Sequence, residues 1–352
     1  HLWMTFWLAW PPLSPGWTLW SNVVSEPRTI QGGCSIRTHV GNLPHDRSQL
    51  LFRQGESGGP TELFRDSVTR WLTAHMSDDL AFDQGSGEVV DSFVFSKGEG
   101  LVCGMVPVDI LIGDFFPSCS INWFVGEGGL VSSGDRVLCL KGPTDSVLSC
   151  ERVLLNILGR MSGIATLTSE WVKEAEGIGI ACTRKTSWGL MDKWAVHVGG
   201  GLTHRLSRGD ALMIKENDLC ASAPNSEPED SIPSAIFSID FDVNAKFTVI
   251  EVQDTGQAIL AAEAWSESQK KRDGSEPIVI LLDNMGPTAC GLADEELRTL
   301  GLREWCILEG SGGVKRKDLA TWASISGVDV ISSSEVNMNS GTLDFSMLIG
   351  GV

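Results

Sequence analysis

Six short apolar runs, at residues 178–182, 211–214, 247–250, 278–282, 306–308 and 328–331, recur through the second half of the chain. They are largely continuous rather than alternating, with Thr248 and Asp329 the polar exceptions, and polar or helical stretches separate them. A strand that is apolar at every position is buried on both faces, as in a parallel sheet covered by helices. Polar groups stand just past each run: Arg184 and Lys185, Lys215, Glu251 with Gln253, Asp283, residues 309–313 (EGSGG), then Ser332 and Ser333. Polar side chains at the carboxyl ends of parallel strands are how α/β barrels build a site. The pattern predicts an irregular α/β barrel, with an open doubly wound sheet as the alternative.

Upstream the period changes. Leu63, Phe64, Val68, Trp71 and Leu72 recur at helical spacing, until Ser77, Asp78 and Asp79 are expected to break the run. Strand-like segments follow at 89–95, 101–106, 121–125 and 136–140, separated by glycine-rich turns at 97–100 and 126–129. A long helix is predicted over 147–173, with Leu148, Leu155, Leu158, Ile164 and Leu167 on its apolar side. Polar stretches at 221–234 and 266–276 read as surface insertions. The implied organisation has three parts: a leader over 1–57 without fixed structure or assigned role, a smaller N-terminal α+β open-sheet domain over 58–145, and an α/β barrel catalytic domain over 146–352. The last strand or tail of the barrel is free to return to the N-terminal domain. Residues 1–20 are apolar and tryptophan-rich, but prolines interrupt them below the length of a membrane span. They lack the basic start of a signal peptide and read as translated upstream sequence or a leader.

The chain has 352 residues, 42% hydrophobic and 20% charged, an ordinary composition for a soluble globular protein. A formal net charge of -18 argues against a nucleic-acid binder, and no apolar segment argues for a membrane partner. Nine cysteines without a C-x-x-C pair read as reduced thiols in a cytoplasmic protein, and Cys182 as a buried strand residue rather than a nucleophile. Against that acidic balance, residues 183–218 gather Arg184, Lys185, Lys193, His204, Arg205, Arg208 and Lys215. Cations concentrated in an acidic chain point to an anionic ligand, for which arginine offers a planar fork and lysine a point charge. Gly199, Gly200 and Gly201 let backbone turn sharply or approach a ligand.

Residues 183–186 (TRKT), Gly189 and Leu190, Lys193 with Ala195 and Val196, the triple glycine, His204 with Arg205, and residues 212–217 (LMIKEN) together resemble the signature of the quinolinate phosphoribosyltransferases. These are the decarboxylating nicotinate-nucleotide pyrophosphorylases. Residues 151–166, 281–284 (LLDN), 309–313 and 327–333 follow in the family's order, so the resemblance spans roughly residues 60–350. It implies phosphoribosyl transfer from phosphoribosyl pyrophosphate to quinolinate with decarboxylation, a step of NAD biosynthesis. It also implies roles. Arg184, His204 and Arg205, with Lys185, would grip the quinolinate carboxylates, and Arg152 would reach in from a partner subunit. Lys215 and Mg²⁺ would neutralise departing pyrophosphate, Asp283 would hold the metal and the ribose, and Glu251 would favour a cationic transition state. Ser311, Gly312 and Gly313 would cradle phosphate, with Ser332 and Ser333 comparably placed; Thr183 and Gln253 would complete the substrate site. No organic cofactor is implied, and a homodimer or higher oligomer would share sites across subunits.

Read from the residues alone, His204 is equally a hydrogen-bonded core histidine, Arg152 a helix ion-pair partner, Asp283 an N-cap, and Gly312 with Gly313 a plain turn. His39, His45, His75 and His197 have no motif context and read as surface or core. The chain also departs from the family. Gln253 stands where a second acidic residue is usual, Asp218 replaces a histidine, and Trp188 replaces a proline. The loop after Leu190 is two residues shorter than usual and lacks the family's arginine. Two other activities therefore remain open: a phosphoribosyltransferase acting on nicotinate or another anionic ring, and a barrel lyase forming a Schiff base on Lys185 or Lys215.

Overall fold

The computed structural model describes residues 43–55, 58–222, 226–244 and 247–350. The tryptophan-rich start of the leader, to residue 42, lies outside them. Helix α1 (Glu62–Asp79) begins where the Thr61 hydroxyl accepts from the Phe64 amide, and it buries Phe64, Val68, Leu72 and Met76 at i, i+4 spacing. It continues through Ser77, Asp78 and Asp79, ending only at Leu80 in a left-handed conformation (φ 53°). Side-chain hydroxyls in the last turns bond back to main-chain carbonyls, Thr73 to Thr69 and Ser77 to Thr73, so these residues do not break the helix.

Strands β1 (Val89–Ser96), β2 (Ser120–Trp123) and β3 (Arg136–Pro143) form an antiparallel sheet in which Ser92, Val94 and Ser96 of β1 point inward at period two. Residues 101–106 are not the expected strand. Only Gly100–Leu101 pairs, and helix α2 (Met105–Ile110) follows. Gly104 at φ 120° turns the chain, and the half-buried carboxylate of Glu127 accepts from the amides of Gly104 and Met105. A cap supplied by a residue twenty-odd positions away leaves no trace in the local pattern. Helix α3 (Thr144–Glu174) buries Leu155, Leu158 and Ile164, but Leu148 is 52% exposed, because Val147 and Cys150 occupy the inward face of that turn.

The barrel is built of β4 (Gly179–Ala181), β5 (Leu212–Ile214), β6 (Thr248–Val252), β7 (Ile278–Asp283), β8 (Cys306–Ser311) and β9 (Val330–Ser332). All pair in parallel, in the order β4-β9-β8-β7-β6-β5. Each strand from β5 onward pairs with its successor, and β9 pairs back onto β4. A doubly wound sheet would place its first strand inside and reverse direction there, so this cyclic order is that of a barrel. One junction, β4 to β5, is open; Leu202 occupies it through a single parallel bridge to Ala181. The last strand, β10 (Phe345–Ile349), leaves the barrel and pairs with β1, completing a four-stranded sheet in the order β10-β1-β3-β2. On that return the chain presses against α3 at Gly163, where an added Cβ would lie 1.9 Å from the Gly341 carbonyl oxygen.

Two expectations of irregularity are overturned. Residue 43 already belongs to the folded body: Leu43 packs beside Ala181, Leu202 and Val330, and His45 is fully buried. These contacts are made one at a time with the barrel, so they leave no periodic signature in the leader. The stretch 266–276 begins as the last turns of the helix Thr255–Lys271, with Ser266, Ser268 and Gln269 buried. The stretch 221–234 enters a second helix, Pro228–Phe237, that packs on the first.

One acid in the N-terminal domain gives a pH-dependent prediction. Asp109 on α2 accepts from Trp123 Nε1 at 2.8 Å, and burial, outweighing that bond and reinforced by nearby Glu127, pushes its pKa up to about 6. A carboxyl whose folded pKa exceeds its unfolded one loses stability as pH rises from about 4 to about 6, and stays penalised above that. Asp109→Asn, which keeps the acceptor oxygen, should therefore stabilise the fold by at least about 1 kcal/mol at pH 7 and by much less at pH 4. Thermal melts at the two pH values check this; an equal change at both would refute it.

Candidate active site

The carboxyl ends of the barrel strands open on a cavity of about 1200 Å³. Thr183 past β4, Lys215 past β5, Glu251 of β6, Asp283 ending β7, Ser311 ending β8 and Ser332 ending β9 all line it. Six strands thus each deliver one inward polar group to the same mouth. Arg184 and Lys185 follow Thr183 in the turn after β4, and the Lys185 amide bonds the Thr183 hydroxyl at 3.1 Å. The N-terminal domain adds Ser67 and Arg70 from α1. Sequence reading missed both, since a lone arginine beside the buried stripe of an amphipathic helix carries no motif.

Seven cationic side chains line the cavity against four acidic ones. Among the described residues Arg70, Arg184, Lys185 and Arg208 have no ion-pair partner, and the Arg205 guanidinium bonds only the Ala211 carbonyl, at 3.4 Å. Arg205 is 7% exposed. Burial, then the neighbouring Arg184 and Arg208, pull its pKa below the usual arginine value. A guanidinium held among like charges raises the local potential and prepares the spot for an anion. Two further lysines are already engaged. Lys193 is buried and donates to the Thr183 and Thr203 carbonyls at 3.1 and 2.7 Å, tying the end of β4 to the 203 loop. Lys215 forms an ion pair with Glu251.

At the floor of the cavity lies a fully buried carboxylate, Glu309. Burial acts to raise its pKa, yet the His204 and His45 rings outweigh it and hold it well below the usual carboxylate range. His45 Nε2 lies 3.0 Å from one oxygen, and His204 Nε2 3.2 Å from both. The Arg205 amide donates to His204 Nδ1 at 2.7 Å. Nδ1 therefore carries no proton, the ring proton sits on Nε2 facing Glu309, and burial keeps the ring neutral by lowering its pKa. Both nitrogens of His204 are thus spent inside the protein, at a residue held in the left-handed region (φ 50°). The expected grip of His204 on a carboxylate meets a ring with no free polar atom.

Glu309, His204 and His45 also have the composition and spacing of a metal site, with ligand atoms within 4.8 Å of one another. Their outer atoms argue otherwise. A histidine bound to metal through Nε2 keeps its proton on Nδ1 and donates it outward. Here His204 Nδ1 accepts, and His45 Nδ1 is buried without a partner. The three form a hydrogen-bonded triad rather than a metal centre.

On the opposite wall, Gly312 and Gly313 follow Ser311 with φ of 88° and 63°, and their amides bond nothing among the described residues. A Cβ on Gly312 would meet the Asn284 side-chain oxygen at 2.3 Å, so the close turn requires glycine there. Ser332 Oγ lies 3.2 Å from Ser311 Oγ, while the Ser333 hydroxyl is turned to the Val314 carbonyl. Donors arranged this way suit phosphate oxygens. Asp283 keeps one oxygen free, the other accepting from Asn284 Nδ2 at 2.7 Å. Its free carboxylate oxygen beside a phosphate cradle fits a hard cation such as Mg²⁺, which takes oxygen ligands shared with substrate phosphates.

Two expected residues are not brought to this cavity. Gln253 is exposed outside the lining, its amide bonded to the Gln257 side chain. Arg152 is exposed on α3, also outside the lining.

Comparison with known proteins fits this geometry. Family models for the quinolinate phosphoribosyl transferase N-terminal and C-terminal domains match residues 78–162 and 164–348. The chain is 36% identical over 283 residues to a probable nicotinate-nucleotide pyrophosphorylase (carboxylating) of Methanothermobacter thermautotrophicus, covering 79% of this chain and 94% of the relative. It is also 36% identical to the similarly named protein of Archaeoglobus fulgidus, over 74% of this chain and 94% of that one. Among solved structures, NadC from Streptococcus pyogenes superposes with a TM-score of 0.67 at 27% identity, covering 82% of this chain and 99% of the other.

Proposed function

This chain belongs to the quinolinate phosphoribosyltransferase family, and we infer from that premise how its cavity works. The protein transfers the phosphoribosyl group of phosphoribosyl pyrophosphate to quinolinate; decarboxylation gives nicotinate mononucleotide, pyrophosphate and carbon dioxide. The observation that carries the reading onto this site is the convergence of five cations without carboxylate partners, in a chain of net charge -18. Surface carboxylates abound, yet among the described residues none forms an ion pair with these five, so the compensating charge arrives with the substrates.

Arg205, with Arg184 and Lys185, takes the two quinolinate carboxylates, and the charge-assisted bonds turn the ring nitrogen toward the ribose. The nitrogen attacks the ribose anomeric carbon as the bond to pyrophosphate breaks, through an oxocarbenium-like state that Glu251 and Asp283 stabilise. Lys215 releases Glu251 and follows the charge onto the departing pyrophosphate. Ser311, Gly312, Gly313 and Ser332 hold phosphate oxygens. Mg²⁺ bound with the polyphosphate supplies Lewis-acid neutralisation of the leaving group, with Asp283 as its protein ligand. The carbon–carboxyl bond next to the quaternised nitrogen then breaks, carbon dioxide leaves, and the electron pair stays on the ring carbon until it takes a proton. The protein's part in that step is to keep solvent away until carbon dioxide has left; water then supplies the proton. Thr183 fixes the Lys185 turn.

Arg152, exposed and unused in its own chain, supports a homodimer in which each α3 completes the other's cavity. No helix among the described residues is long and apolar enough to cross a membrane. The acidic balance and unpaired thiols support a cytoplasmic setting. The decisive assay combines purified protein, Mg²⁺, phosphoribosyl pyrophosphate and quinolinate, following nucleotide and carbon dioxide together; equal amounts of each are expected. Turnover of nicotinate, with quinolinate inert and no carbon dioxide, would replace this reading with the related transferase.

A further inference from the structure

We propose that residues 43–47 form a positioning strap in which His45, acting through Glu309, holds His204 and thereby aims Arg205 into the quinolinate end of the cavity. The segment precedes the family-model matches, which begin at residue 78. The proposal rests on the functional reading above for the role of Arg205, and on geometry for everything else.

The strap's main chain at 45 and 47 and the Arg47 side chain contact one loop, residues 203–210, which lies at the open β4–β5 junction, while Asp46 lies 3.6 Å from His197 Nδ1 on the neighbouring helix. The Thr203 hydroxyl donates to the His45 carbonyl at 3.3 Å and accepts from the Arg47 amide at 2.8 Å. The Arg47 guanidinium forms an ion pair with Asp210 at 2.8 Å, and Asp210 in turn accepts from the Leu206 amide at 2.9 Å. His45 reaches further, into the barrel interior, where it meets the His204 ring edge-on at 5.1 Å and donates to Glu309. The loop pinned in this way carries Arg205 and Arg208, two of the unpartnered cations of the cavity.

Elsewhere in the barrel a strand's position is fixed by ladders on both sides. At the open junction the described residues supply only the Leu202 bridge, so side chains from the strap take over that function. Glu309 is the pivot. A buried carboxylate needs donors, and its two are His45 and His204. If His45 is lost, Glu309 retains one neutral donor. It then either takes up a proton or shifts, and both changes disturb the proton on His204 Nε2. Since His204 Nδ1 is bonded to the Arg205 amide, the disturbance passes directly to the backbone of Arg205.

The experiment uses the full chain labelled with ¹⁵N-histidine, together with His45→Ala, His45→Gln and His45→Asn. Glutamine places an amide nitrogen near the position of Nε2, whereas asparagine reaches only to that of Nδ1. The wild type is expected to show His204 protonated on Nε2 alone. In His45→Ala and His45→Asn that signature should be lost and the KM for quinolinate should rise about tenfold, with the KM for phosphoribosyl pyrophosphate within about twofold. His45→Gln should restore both. An unchanged His204 signature in His45→Ala, KM values for both substrates rising together, or failure of glutamine to restore would overturn the proposal. If His45→Ala does not fold, the glutamine and asparagine variants decide by the same criteria. A wild-type protein inert toward quinolinate would sink the functional reading instead, leaving the strap to be judged on the His204 signals alone.

Discussion

Arg205→Ala abolishes saturable quinolinate binding and leaves the fold intact. The side chain is almost fully buried, sits among Arg184 and Arg208, and has one weak contact within the protein. Its removal therefore costs little native stability and relieves like-charge crowding, so the melting temperature should hold or rise. Binding is different. A desolvated guanidinium facing a carboxylate is among the strongest polar contacts, and truncating one partner of such a pair typically costs about 2–5 kcal/mol. We expect kcat/KM for quinolinate to fall by about a thousandfold, with the KM for phosphoribosyl pyrophosphate nearly unchanged. Arg205→Lys, which keeps the charge and loses the fork, should fall between. Steady-state kinetics with each substrate varied, beside thermal melts, provide the check. Unchanged quinolinate affinity in Arg205→Ala would defeat the assignment.

Lys215→Ala is expected to act on the other substrate. Without ligand, Lys215 is paired with Glu251, and both border the cavity. Removing the lysine takes away one cation for the phosphates and also leaves Glu251 uncompensated, a negative charge facing a polyanion. The two effects add, so kcat/KM for phosphoribosyl pyrophosphate should drop by about a hundredfold or more, and that for quinolinate by far less. Adding Glu251→Gln to Lys215→Ala should recover part of the loss in phosphoribosyl pyrophosphate affinity, because it removes the repulsion. Such non-additivity is the signature of residues that share one contact. Equal losses on both substrates would count against this division of the site.

The barrel was legible from sequence because its strands are buried on both faces, so hydrophobicity alone marked them. The site followed, since a group just past a parallel strand has one mouth to face; Lys215, Asp283 and Ser311 were placed by that rule. What stayed hidden depends on distant partners. Residues 101–106 form a helix start because Glu127 caps it, and no local period records that. His45 looked like any isolated histidine, and its meaning lies 264 residues away at Glu309. Glu309 stands just past the apolar run 306–308, where either a scaffold or a site role is open from sequence. It proves to line the cavity while spending its oxygens on two imidazoles. Gln253 was named through resemblance, yet the strand has already run out of the barrel at that point and the side chain faces solvent.

The return of β10 to β1 makes the two domains depend on each other in time as well as in space. On the ribosome, β1 to β3 emerge early, but their fourth strand is made last, after every barrel strand. The N-terminal sheet therefore waits with an open edge for most of synthesis, and loop closure over some 250 residues is a slow, entropically costly step. A chain released just short of residue 345 would keep all six barrel strands, yet its missing piece would be felt at the opposite end of the polypeptide.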